Sequence, residues 1–161
     1  MKKYLAVLFL LSACFLYSDA QHIAMTFQDY QKQGGTIAHL DSIYKSAVHV
    51  DSSQAVFKTD SERDTLIGSY QTMLRSFGKF LSANGFHWEK PTRCFNRIYF
   101  KEDGTIDYFL YNFLGKQEEK ISDEKQKQFN ELLSKFIQDY KLGLTAKVKF
   151  AQCSPTTYMP K

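Results

Sequence analysis

Proline is scarce, with three residues in 161. Charged residues make up 24% and apolar residues 43%. This balance excludes a collagenous, fibrous or disordered chain. Glycines stand singly or as the pair Gly34-Gly35, so no phosphate-cradling loop is present. There is no H-E-x-x-H, no C-x-x-C and no G-x-S-x-G. His22, His39, His49 and His87 lie at spacings that form no metal motif, and nothing calls for a cofactor. The net charge of +4 is mild, with acidic residues interspersed among basic ones, so no nucleic acid partner is expected. No internal repeat or low-complexity stretch occurs. Beyond the first twenty residues no apolar run is long enough to span a membrane.

Aromatic residues are abundant: 14 Phe, 10 Tyr and 1 Trp. The length and this core material suit one domain. The N-terminus reads as an address. Lys2 and Lys3 precede an apolar run over 4–17, broken by Ser12, and Ser18-Asp19-Ala20 then offers small residues before Gln21. This is a signal peptide pattern, predicting cleavage after Ala20 and a periplasmic or secreted mature chain 21–161. A second reading is open. Leu11-Ser12-Ala13-Cys14 matches the lipobox of bacterial lipoproteins, which would anchor the chain through Cys14, although Phe15-Leu16-Tyr17 continues the apolar run. Export leaves Cys94 and Cys153, and an oxidising compartment predicts a disulfide between them.

Along the mature chain, helices are predicted over 26–33, 36–48 and 60–83. The third follows a capping box, Thr59-Asp60-Ser61-Glu62, and ends at Asn84-Gly85. The period then drops to two. Strands 95–101 and 105–114 flank Glu102-Asp103-Gly104, a hairpin signal. A three-residue loop with Gly104 left-handed sets Ile98 and Phe100 opposite Tyr108 and Ile106. Ser122 caps a helix over 122–140, whose Phe129, Leu132, Leu133, Phe136, Ile137 and Tyr140 share one stripe. A strand over 145–152 follows. The predicted fold is α+β: N-terminal helices packed on a three-stranded sheet (β-hairpin, helix, strand) in a single domain. A right-handed crossover puts the last strand antiparallel beside the first, bringing Cys94 towards Cys153. A bridge closing about 60 residues would stabilise by roughly 4 kcal/mol in the chain-entropy model.

This hairpin, helix and strand, over about residues 94–153, resembles the C-terminal domain of TonB-like energy transducers. That family grips outer-membrane transporters by strand pairing. The resemblance implies its fold and its compartment. It does not extend to energy transduction, because the chain lacks the Tyr-Pro motif ahead of the hairpin, a proline-rich spacer and a retained anchor.

Both hairpin faces are aromatic. In the predicted register Tyr99, Phe109, Tyr111 and Phe113 share a face with Arg97 and Lys101. Either a helix covers each face, 122–140 on one and 60–83 on the other, or part of this second face stays open to a ligand. Lys147 and Lys149 mark strand 145–152 as a charge-protected or docking edge. The expected function is an exported, non-enzymatic binding or accessory domain of the bacterial periplasm or cell surface. It would hold an envelope protein or peptide through Tyr99, Phe109, Tyr111, Phe113, Lys147 and Lys149. The alternatives are a lipid-anchored envelope protein, or a secreted hydrolase built on His87, Trp88, Glu89 and Arg93.

Overall fold

The computed structural model describes residues 22–115 and 121–160; the signal peptide pattern and the Cys14 lipobox lie outside the described residues. Each of its four α-helices starts at a hydroxyl that satisfies the first free backbone N–H groups. Thr26 Oγ1 accepts from the Asp29 amide (3.0 Å) at the start of α1, Phe27–Lys32. Thr36 caps α2, Ile37–Ile43, through the His39 amide. At α3, Asp60–Ala83, Thr59 Oγ1 accepts from the Glu62 amide (3.2 Å), and Glu62 accepts from the Thr59 and Lys58 amides (2.9 and 2.8 Å). Ser122 caps α4, Asp123–Asp139. Helix α3 closes through Gly85 at φ +73°, where the Phe86 amide returns to the Leu81 carbonyl.

The sheet has five strands, which corrects the expected three. The two long central strands are β3, Thr92–Phe100, and β4, Ile106–Leu114. The final strand, β5, Phe150–Tyr158, runs antiparallel beside β3 along its whole length. Two short strands then add in parallel at the outside, giving the order β1-β4-β3-β5-β2. Strand β1, Ile23–Thr26, pairs with β4 from Tyr108 to Tyr111, and β2, Lys45–Ser46, pairs with Phe150 and Ala151. Four and two residues are too few to show a period-two pattern, so neither strand stood out locally. Strand β2 also ends the predicted helix 36–48 early, because Tyr44 already has extended backbone.

The hairpin starts as expected and then departs. Gly104 is left-handed at φ +82°, and Phe100 faces Ile106. A bulge at Asp107 then shifts the register, so Tyr99 faces Tyr108 and Ile98 faces Phe109, not Tyr108. The predicted strand 145–152 begins later, at Phe150, because the chain before it is bound to the hairpin turn. The Leu142 amide donates to the Gly104 carbonyl (2.9 Å), the Ala146 amide donates to the Glu102 carbonyl (2.8 Å), and Lys141 pairs with Asp103 (2.5 Å). A Cβ on Gly104 would collide with the Leu142 carbonyl, so close approach and positive φ both require glycine there.

Helices α3 and α4 lie together on one face of the sheet, not one on each face as expected. Helix α4 rests on β1 and β4, and Phe77 of α3 meets Phe129 and Phe136 of α4 and Phe109 of β4. Phe129 is the hub: it touches the rings of Phe77, Phe86, Trp88, Tyr111, Phe113 and Tyr158 at centroid distances of 5.1–6.0 Å. The opposite face carries Tyr99, Leu110 and Ala151 and is covered by Leu40 and Tyr44, with Phe27, Tyr30 and Ile37 around them.

The expected disulfide is absent. Cys94 is buried, Cys153 is exposed, and both are free. Register explains it: Cys153 faces Arg97, while Cys94 faces Thr156. The cysteines are therefore three pairs apart, about 10 Å along the strands, and on opposite faces.

Phe129 is completely buried within its ring cluster. Phe129→Ala is expected to lower unfolding free energy by about 3–5 kcal/mol in urea titration, a large share of a typical domain's stability.

Candidate functional site

The aromatic patch predicted to bind is internal. Tyr99, Phe109 and Tyr111 are buried, and the bulge leaves Tyr99 on one face with Phe109 and Tyr111 on the other. Tyr99 packs edge-on against Tyr44 (5.1 Å) and donates weakly to Asp41 (3.4 Å). Tyr111 donates to Asn130 Oδ1 (3.2 Å). Phe113 is half-buried against Phe129, Trp88 and Tyr111. Lys147 and Lys149 precede β5 and are not on a strand edge. Lys149 lies 5.6 Å over the Tyr44 ring and 4.0 Å from Asp107.

Asp107, the bulge residue, is a buried carboxylate. Tyr44 Oη donates to it at 2.6 Å, and Lys101 Nζ lies at 3.5 Å. Burial is tolerable because these partners neutralise and bond the charge. Desolvation and this carboxylate together hold the Tyr44 phenol well above its ordinary value.

The residues considered for hydrolysis do not converge. Glu89 is 86% exposed and pairs with Lys125 (3.3 Å). Arg93 is exposed on β3, and His87 borders a different cavity from Glu89. Among the described residues no group of three His, Cys, Asp or Glu could hold a metal ion. Among them, too, no helix is long and apolar enough to cross a membrane.

The structure instead exposes an edge that strand reasoning placed elsewhere. Strand β2 covers β5 only as far as Ala151, whose carbonyl accepts from the Ala47 amide (2.8 Å). Beyond that point no described strand pairs with the outer side of β5. Backbone alternation turns the main-chain groups of every second residue outward, which places those of Cys153, Pro155 and Thr157 on this open side. The Cys153 carbonyl is capped by the Gln152 side chain (3.0 Å). Pro155 sits where its missing N–H falls on the open side, as proline in a strand must. Thr157 keeps both groups free for pairing. The prolyl residue is the signal that could have located this edge in the sequence.

Beside the end of this edge lies a cavity of about 300 Å³. Its walls are Leu74, Gly78 and Leu81 of α3, the turn residues Phe86 and Trp88, and Tyr158 and Met159. The Trp88 ring stacks on Tyr158 (4.9 Å, 14°) and meets Phe86 edge-on. Nothing lies within 4 Å of where a Gly78 Cβ would stand. Arg75 and His87 supply the polar border. Two sets of polar contacts join the same end of the sheet and α3. Cys94 Sγ donates to Asn96 Oδ1 (3.2 Å), Asn96 donates to Thr156 (3.0 Å), and Ser154 donates to Tyr70 (2.8 Å).

Comparison with protein-family models, curated proteins and solved structures finds no match for this chain.

Burial pushes the Cys94 thiol up to about 12, which keeps it protonated and shielded near neutral pH. Iodoacetamide on the native protein should label Cys153 and spare Cys94 until the chain is denatured, as read by peptide mass spectrometry. Burial likewise raises Tyr70 to about 12 and holds Tyr99, Tyr111 and Tyr158 above the ordinary phenol value. Unfolded phenols ionise near pH 10, so the unfolded state releases protons first. Stability from these groups is full below pH about 10 and is lost as pH rises through the folded values. The urea midpoint should fall there, with phenolate absorbance appearing together with unfolding.

Proposed function

We propose that this chain is an exported, non-enzymatic binding or accessory domain of the bacterial periplasm or cell surface. It takes an extended segment of an envelope protein or peptide onto the open edge of β5. The observation that carries this reading is the unpaired outer side of β5 from Cys153 to Tyr158, next to an apolar cavity. A strand edge with free amides and carbonyls is a template for another chain, and backbone bonds supply the affinity.

Three further observations support it. The leader pattern at residues 1–20 directs the chain outward. The hairpin, α4 and β5 keep the order of elements that resembles the TonB-like periplasmic domain, a family that binds by strand pairing. The histidine and carboxylate considered for hydrolysis border separate cavities, with Glu89 engaged by Lys125. The edge is also limited in length. Strand β2 closes one end, and Pro155 withholds a donor in the middle, which restrains indiscriminate pairing.

Thr157→Pro tests the edge. It removes an outward N–H and stands a ring where an added strand would lie, while leaving the bonds to β3 intact. The full chain, exported with a C-terminal tag, is expected to retain one envelope protein in near-stoichiometric amount. Retention should fall at least tenfold in Thr157→Pro, with an unchanged melting temperature. Equal retention by both forms would overturn the reading.

A further inference from the structure

We infer that the cavity between α3 and the end of β5 is a receptor for one large apolar side chain of an acidic, extended peptide segment. This rests on the edge reading and adds the chemistry of the partner. In β5, Thr156 and Tyr158 direct their side chains to the face that α3 covers, and both line the cavity. A strand added alongside would alternate in the same way. Every second side chain would then stand over the groove between β5 and α3, and one would meet the cavity mouth.

The cavity's shape sets the size of that side chain. About 300 Å³ is at the small end for ligand pockets, enough for one large side chain and too little for a folded element. Its chemistry sets the character. Leu74, Leu81, Phe86 and Trp88 form apolar walls, and the missing side chain at Gly78 is what leaves the space open. Filling such a space with an apolar group removes its surface from water without leaving a polar group unpaired.

The border sets the charge. Arg75 and His87 stand at the cavity, and none of its lining residues is acidic. Arg75 donates to the Thr72 hydroxyl on its own helix (3.0 Å) and makes no ion pair among the described residues. A guanidinium without a carboxylate, beside an apolar recess, complements an Asp or Glu near the anchoring side chain.

The test uses a displayed library of random dodecapeptides, selected on the full chain and re-measured as free peptides. Trp88 is the one tryptophan in the chain and forms a cavity wall, so its emission reports occupancy. Selected peptides are expected to share a large apolar residue with Asp or Glu within two positions, and to shift Trp88 emission on binding. Gly78→Phe, which fills open space, should weaken them at least thirtyfold. Arg75→Glu, an exposed change, should weaken them about tenfold. Thr157 also borders the cavity, so Thr157→Pro separates the two readings only when compared with Gly78→Phe and the Trp88 emission. Peptides that Thr157→Pro abolishes, but that ignore Gly78→Phe and leave Trp88 unshifted, would overturn the cavity inference and keep the edge. Peptides insensitive to Thr157→Pro but lost in Gly78→Phe would overturn strand addition. Selection that enriches nothing, or peptides indifferent to every variant, would overturn both.

Discussion

The hairpin of β3 and β4 is apolar on both faces, and the rest of the structure answers to that. Cys94, Ile98, Phe100, Ile106, Phe109 and Tyr111 look towards α3 and α4, while Tyr99 and Leu110 look towards α1 and α2. A sheet left solvated on either side would expose rings that each bury a large apolar area. Two helical layers are therefore required. The long helices share the larger face because their phenylalanines interlock through Phe77, Phe129 and Phe136. The smaller face is left to two short helices.

Asp107 is where this sandwich is adjusted. As a bulge residue it lets the turn pair Phe100 with Ile106 and the body of the hairpin pair Ile98 with Phe109. Its carboxylate is held by Tyr44, Lys101 and Lys149, which ties α2 and the segment before β5 to the hairpin. That same segment wraps the Gly104 turn through Leu142 and Ala146. The wrap consumes residues that would otherwise extend β5 at its start and moves the strand towards the C-terminus. The open edge beyond Ala151 follows from that displacement, because β2 reaches only the first two residues of β5.

The proposed binding surface is thus a by-product of how the sheet closes. Helix α3 covers β5 from one side, and the turn after it brings Phe86 and Trp88 to the strand's end. Gly78 leaves the recess empty. The recess lies beside backbone groups that have no strand to meet, so apolar burial and strand pairing would act on one guest together.

Signals confined to neighbouring residues could be read from the sequence alone. The Thr59–Glu62 capping box, the Ser122 cap, the left-handed Gly104 and the apolar stripes of α3 and α4 depend on spacings of three or four residues, and the chain carries them wherever it folds. The site was less legible. Tyr99, Phe109, Tyr111 and Phe113 announced an aromatic sheet but not which face each would take, since a one-residue bulge reverses faces. His87 and Trp88, which the sequence offered with Glu89 and Arg93 as a possible hydrolase site, border the cavity. Tertiary structure alone decided the parallel strands β1 and β2, the grouping of both long helices on one face, the separation of Cys94 from Cys153, and the free edge of β5. Each depends on hydrogen bonds or packing between segments far apart in the chain, and of these only the free edge leaves a local mark, the proline at 155.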